Sequence, residues 1–268
     1  MLYLDFYYLT MIPKLFKRKF TLDDGVTYLC PTCSDFTLQL QPQKFHTEDT
    51  SGTKKMQAND EYYDPEYFSF VFSAVFICKN SKCQESVVCL GDGYVDFDES
   101  VDSYGDYDRK YFSVYIPKVF MPTIHFFNIP ENCPESVKIP LIEAFSITLL
   151  SPSSSANKVR VSIENLLTSF NIPKTTVNKQ KKRVRLNLDA RIEKAKGKHI
   201  ILGQLEDILH AIKWLGNAGS HSSSEITLDD VFVAYKLMEH ILLELYQPKH
   251  ELNKLAKAIR KRKGPIKK

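Results

Sequence analysis

Two pairs of cysteines constrain this chain more than any other feature. Cys30-Pro-Thr-Cys33 is a C-x2-C knuckle, and Cys78-Lys-Asn-Ser-Lys-Cys83 is a C-x4-C knuckle. Short spacing aims both sulfurs of a pair at one ion, and two pairs complete a tetrahedron. Four thiolates leave no open coordination position, so the zinc expected on Cys30, Cys33, Cys78 and Cys83 is structural rather than catalytic. The flanks alternate apolar and polar residues as strands do: "FTLQL" after the first pair, parts of "YFSFVFSAVFI" before the second, "ESVVCL" after it. A small antiparallel β zinc ribbon follows from these signals. The competing reading, buried structural cysteines, does not call for two knuckles on strand ends. Cys89 and Cys133 have no partner at ligand spacing and are read as core thiols.

Between the knuckles, "QPQKFHTEDTSGTKKMQANDEYYDPE" is polar and without period, which predicts a long inserted loop. Residues 92–108 then hold seven acids and no Lys or Arg. They lack the ordered ligand loop and closing Glu of an EF-hand, so calcium is not expected there. "KYFSVYIPKVFMPTIHFFNIPENCP" reads as short strands punctuated by prolines, a connector returning along the ribbon.

From Pro134 the period changes from 2 to 3.6. "PESVKIPLIEAFSITLL" reads as a helix with a possible restart at Pro140. The serines of "SPSSSANKVRVSIENLLTSF" offer an N-cap ahead of apolar Val159, Ile163, Leu166, Leu167 and Phe170. Arg160 and Glu164 are four apart and share one face of that helix. "NIPKTTVNKQKKRVR" reads as a basic linker and "LNLDARIEKAKGK" as a short helix. Over "HIILGQLEDILHAIKWL", residues Ile201, Leu205, Ile208, Ile212 and Leu215 form a stripe, and Gly216-Asn217 is read as the helix stop. Thr227 caps the last long helix, whose stripe is Phe232, Tyr235, Met238, Leu242 and Leu245. The fold class is therefore α+β: a β zinc ribbon with an inserted polar loop over residues 1–115, an all-α bundle of about five helices over 116–247, and a basic tail over 248–268.

The 36 Lys and Arg against 32 Asp and Glu give a formal charge of only +4, unevenly spread. Residues 249–268 hold nine Lys or Arg and one Glu, which makes Lys257, Arg260, Lys261, Arg262 and Lys263 candidates for contact with nucleic-acid phosphates. The apolar opening "MLYLDFYYLTMI" carries Asp5, has no basic region before it and is too short to span a bilayer. Translation from Met11 would account for the first ten residues equally well. A cytoplasmic protein with reduced or metal-bound cysteines is expected, without membrane contact.

The second half resembles domain of unknown function 4145, a member of the HEPN superfamily of helical bundles. The resemblance is carried by "IPENCPESVKIPLIEAF", by the helix with Arg160, Ile163 and Glu164, by "LNLDARI" and by "WLGNAGSH", over about residues 116–247. It implies a HEPN-like helical bundle, a homodimer, and an attachment to zinc ribbons that the first half fits. Relatives accompany restriction and other phage-defence enzymes. Ribonucleases of the wider superfamily resemble R-x4–6-H with a polar residue after the Arg, and need no metal. Here Asn217 and His221 match, but Gly216 stands at the Arg position, with Lys213 and Arg160 as the nearest other cations. The resemblance thus implies Arg160, Glu164, Asn217 and His221 as a structural cluster or ligand pocket. If the protein were a ribonuclease, His221, Asn217, Lys213 and Arg160 would be its catalytic set.

The expected function is a non-catalytic binding or adaptor protein associated with bacterial phage defence, with a defence-system protein or nucleic acid (RNA or DNA) as partner. Two other readings stay open. One is a metal-independent endoribonuclease or toxin using His221; the other is a DNA-binding regulator built on the ribbon and the basic tail.

Overall fold

The computed structural model describes residues 16, 18–59, 64–101, 107–218, 225–246 and 257–263. Strands β1 (Thr27–Leu29), β2 (Phe36–Asp49), β3 (Ser69–Cys78), β4 (Ser86–Val101) and β5 (Tyr107–Met121) form one antiparallel sheet in chain order. Alternation in β3 sends Phe70, Phe72, Ala74, Phe76 and Cys78 into a core shared with Phe20, Tyr28, Leu38, Val87, Cys89 and Phe120. The opposite face keeps Val71, Val88 and Leu90 exposed. This is the one-sided burial that period-2 sequence produces.

The stretch between the knuckles is not one long loop. β2 runs on to Asp49 by pairing Phe45–Asp49 with Phe70–Ala74, and the register slips between Leu40 and Phe45. That bulge absorbs Gln41 to Lys44, including Pro42, and it breaks the alternation that would have marked a strand. Helix α1 (Ser51–Asn59) follows. It docks through polar bonds: Thr53 is buried, donates from its hydroxyl to the Ser69 carbonyl and accepts from the Ser69 N–H. A helix anchored this way carries no apolar stripe.

The expected connector is likewise sheet. β4 and β5 pair from Val88–Met121 to Val101–Tyr107, and the register shift beside Gly91 accommodates Pro117 on the outermost strand. Proline is tolerated at a bulge on an edge, where a missing N–H breaks no ladder.

The second half holds α2 (Glu135–Ile147), α3 (Pro152–Ser169), a hairpin of β6 (Thr175–Val177) and β7 (Arg183–Arg185), then α4 (Leu188–Lys198), α5 (Ile200–Gln204), α6 (Glu206–Ala218) and α7 (Leu228–Tyr246). Ser151 caps α3 through its side chain, and Pro140 lies inside an unbroken α2. Val159, Ile163, Leu166 and Leu167 of α3 are fully buried with Phe232, Tyr235, Met238 and Leu242 of α7. The basic linker folds as the β6–β7 hairpin.

The helix expected over 199–215 is two, α5 and α6, broken at Leu205. Its buried side is Leu202, Leu205, Leu209, Ile212 and Gly216, while Ile201 is exposed. Gly216 does not stop the helix: α6 continues to Ala218, and Gly216 lies against α3.

Phe16 joins the two cores, its ring within 6 Å of Tyr28 on one side and of Phe126 and Phe232 on the other. Arg18 ion-pairs with Asp229 at the start of α7 and lies over the Phe232 ring. Among the described residues no helix is long and apolar enough to cross a membrane.

Candidate metal centre and cationic cavity

The four knuckle cysteines come from two neighbouring turns at one end of the sheet. Cys30 and Cys33 lie in the β1–β2 turn; Cys78 ends β3 and Cys83 precedes β4. Pairing of Leu38 with Cys78 sets the turns side by side, and the Thr32 hydroxyl donates to Glu85 across them. Each turn closes on a residue in the left-handed conformation directly after its second cysteine, Ser34 (φ 61°) and Gln84 (φ 51°). Backbone bonds from Ser34 N–H to the Cys30 carbonyl and from Gln84 N–H to the Asn80 carbonyl curl both segments around the sulfurs.

The resulting separations are 3.7 Å for Cys30–Cys83 and 3.6 Å for Cys33–Cys78, and all four sulfurs lie within 4.8 Å of one another. A disulfide would need about 2.0 Å. Four sulfurs placed about 2.3 Å from a central ion in a tetrahedron would stand ~3.8 Å apart. The donor set and its spacing therefore fit a metal ion, and Cys30, Cys33, Cys78 and Cys83 could hold one.

Burial pushes the Cys30 thiol up to about 12. Burial also acts upward on Cys78, but the Thr37 hydroxyl and the Asn80 backbone outweigh it and bring that thiol down to about 7. A cation at the centre would favour the thiolate form of all four. Cys89 and Cys133 lie in the cores as expected, both buried, and burial raises both thiols.

The second candidate site is a cavity of about 470 Å³ bounded by α3, α4, α6 and the β6–β7 hairpin. Three of the four residues expected to form a pocket, Arg160, Glu164 and Asn217, line it together with Lys213. The fourth, His221, lies outside the described residues. Arg160 donates to Glu164 at 2.5 Å and to Asn157 at 2.9 and 3.1 Å. Lys213 is 5% exposed; its ammonium lies 2.5 and 2.6 Å from the two Asp189 oxygens and 3.9 Å from the centre of the Trp214 ring.

Gly216 explains how Arg160 reaches this place. A Cβ on Gly216 would stand 2.5 Å from Arg160 Cβ and 3.0 Å from the Ala156 carbonyl oxygen. Position 216 therefore has no room for an arginine, and the stem of Arg160, from α3, lies where that side chain would begin.

Lys174, Arg185, Asp189, Arg191 and Trp214 also line the cavity and escaped the sequence reading as site residues. Asp189 and Arg191 belong to "LNLDARI", and Arg185 ends the basic linker, so a cationic run beside a capped short helix was the available signal. Arg191 is 4% exposed, and burial lowers its hold on the proton. Its Nη2 donates to the Thr168 hydroxyl and the Ile172 carbonyl, while its Nε has no hydrogen-bond partner among the described residues. Of the tail, residues 257–262 are helical, with Lys257, Arg260, Lys261, Arg262 and Lys263 exposed.

Two family models match the chain. Residues 142–262 match the family model described as Domain of unknown function (DUF4145). The match falls on the helical half of the protein, and the cavity lies inside the matched span. Residues 18–120, the sheet with its cysteines, match the model described as Domain of unknown function (DUF8608). No curated protein and no solved structure matches the chain.

Proposed function

We propose that this is a non-catalytic binding protein in which a zinc-ribbon-like sheet, stapled by a structural zinc, is joined to a HEPN-like helical bundle that carries the ligand site. The observation that carries this reading is the state of Lys213. In the nuclease pattern it is the nearest cation to Asn217 on the same helix, yet both oxygens of Asp189 hold it. A cation so neutralised is a poor stabiliser of developing phosphate charge. Four cysteine ligands likewise leave no position for a metal-bound nucleophile. Zinc, tetrahedral and redox-inert, is the ion suited to four thiolates at this spacing.

An adaptor role in bacterial phage defence, a homodimer and a protein partner follow from the resemblance of the helical half, and a cytoplasmic setting accords with cysteines kept as thiols rather than disulfides. Nucleic-acid contact through residues 257–263 follows from their charge and exposure.

Incubating the purified protein with RNA in EDTA, beside a His221→Ala variant, tests the reading. No cleavage by either protein is expected. Cleavage by the wild type that the variant abolishes would establish the ribonuclease instead. Metal analysis of wild type against Cys30→Ser tests the staple, with one zinc per chain expected in the former. A folded, metal-free wild type would sink it.

A further inference from the structure

The cavity beside Arg160 has a composition that narrows its ligand. Among the described residues, five cationic side chains line it against two carboxylates, Glu164 and Asp189. Both carboxylates are already engaged, by Arg160 at 2.5 Å and by Lys213 at 2.5 Å. The excess positive charge rests on Lys174, Arg185 and Arg191. Arg185 is 83% exposed by its side chain and 3.8 Å at its closest from Glu164, while Arg191 is buried with an Nε that has no partner among the described residues. A buried guanidinium N–H without an acceptor is costly, and guanidinium donors suit phosphate oxygens.

Size adds a second constraint. At about 470 Å³ the cavity is of the order used for small organic ligands, beyond what a lone phosphate fills. At its rim stands Trp214, 65% exposed, offering an aromatic surface beside the cations.

We infer that the cavity binds a phosphomonoester: a terminal phosphate dianion received by Arg185, Arg191 and Lys174, with a planar organic body against Trp214. The inference rests on reading the helical half as a binding module. It adds the chemical class of the ligand. The phosphate can belong to a small metabolite or to the end of a nucleic-acid strand.

Trp214 is the single tryptophan of the chain, so its fluorescence reports on this cavity alone. The full-length protein is titrated with phenyl phosphate, phenyl sulfate and inorganic phosphate. A saturable change with phenyl phosphate is expected. Phenyl sulfate, a monoanion with the same ring, should bind roughly tenfold more weakly, as loss of one charge-assisted contact implies. Inorganic phosphate, lacking the ring, should also bind more weakly than phenyl phosphate.

Arg185→Ala, at an exposed position, should weaken phenyl phosphate by roughly ten- to a hundredfold with an unchanged melting temperature. Arg191→Lys, which keeps the charge and removes the fork, should also weaken it. A short RNA with a 5′-phosphate is compared with its 5′-hydroxyl twin. Preference for the phosphorylated strand over both the twin and phenyl phosphate supports the site and assigns it to a strand end.

No saturable response to phenyl phosphate, equal affinity for the sulfate, or indifference to Arg185→Ala overturns the inference. The RNA-cleavage assay reads separately: cleavage with phosphate binding intact defeats only the non-catalytic reading. Silence in both assays defeats only the phosphate site.

Discussion

Replacing Gly216 by alanine should reverse the usual effect of such a change. In a helix interior the substitution ordinarily stabilises by up to about 1 kcal/mol. Here the new methyl would meet Arg160 Cβ at 2.5 Å and a carbonyl oxygen at 3.0 Å, neither of which can swing away. A net loss of about 1–3 kcal/mol is expected from overpacking, read as a lower denaturant midpoint. A raised midpoint would show that α3 and α6 can part. Asp189→Asn probes the neighbouring pair. It leaves the Lys213 ammonium, 5% exposed, facing a neutral amide. Breaking a fully buried pair costs about 3–5 kcal/mol, and the 44% exposure of the Asp189 side chain reduces this to about 1–3 kcal/mol. Since His210 Nδ1 also lies 3.1 Å from Asp189, the loss should exceed that of His210→Ala in the same melt.

Among elements, the paired turns β1–β2 and β3–β4 bring together the four cysteines that could hold a metal ion. Each is closed by a non-glycine residue in the left-handed region, a conformation that costs energy unless its surroundings enforce it. On the proposed metal site, four thiolates drawn to one ion would supply that enforcement. Chelation, or Cys30→Ser, is therefore expected to cost the sheet on the order of 3 kcal/mol, a fall of roughly 10–20 °C in its melting for a region of this size. Far-UV signal from the helices should survive at temperatures where the sheet has melted, because the two cores are built from separate residues. Simultaneous collapse of both halves on chelation would contradict this. The elements also differ in how plainly they could be read. The knuckles and β3 stand out because ligand spacing and period 2 are local properties. The far half of β2 does not, because a bulge around Pro42 interrupts the alternation, and α1 does not, because Thr53 docks it by hydrogen bonds.

Across the molecule, the sheet and the helices meet through Phe16 and the Arg18–Asp229 pair. Phe16 touches aromatic rings of both cores, so Phe16→Ala is expected to cost about 1–3 kcal/mol, less than a fully buried phenylalanine because the ring is only half-buried. It should also widen the gap between the two melting transitions in calorimetry; an unchanged trace would place the coupling elsewhere. The division into a sheet with four clustered cysteines followed by helices was already written in the chain, since cysteine spacing, a change of hydrophobic period and serine and threonine caps act over a few residues. The cavity was not, because Arg160, Lys174, Arg185, Arg191 and Lys213 are spread over three helices and a hairpin, and only packing brings their charges together. Gly216 shows the difference in one residue. Along the chain a glycine followed by asparagine reads as a helix stop, from backbone freedom alone. In the folded protein it is a point of close approach between α3 and α6, because the space its side chain would fill belongs to an arginine 56 positions earlier.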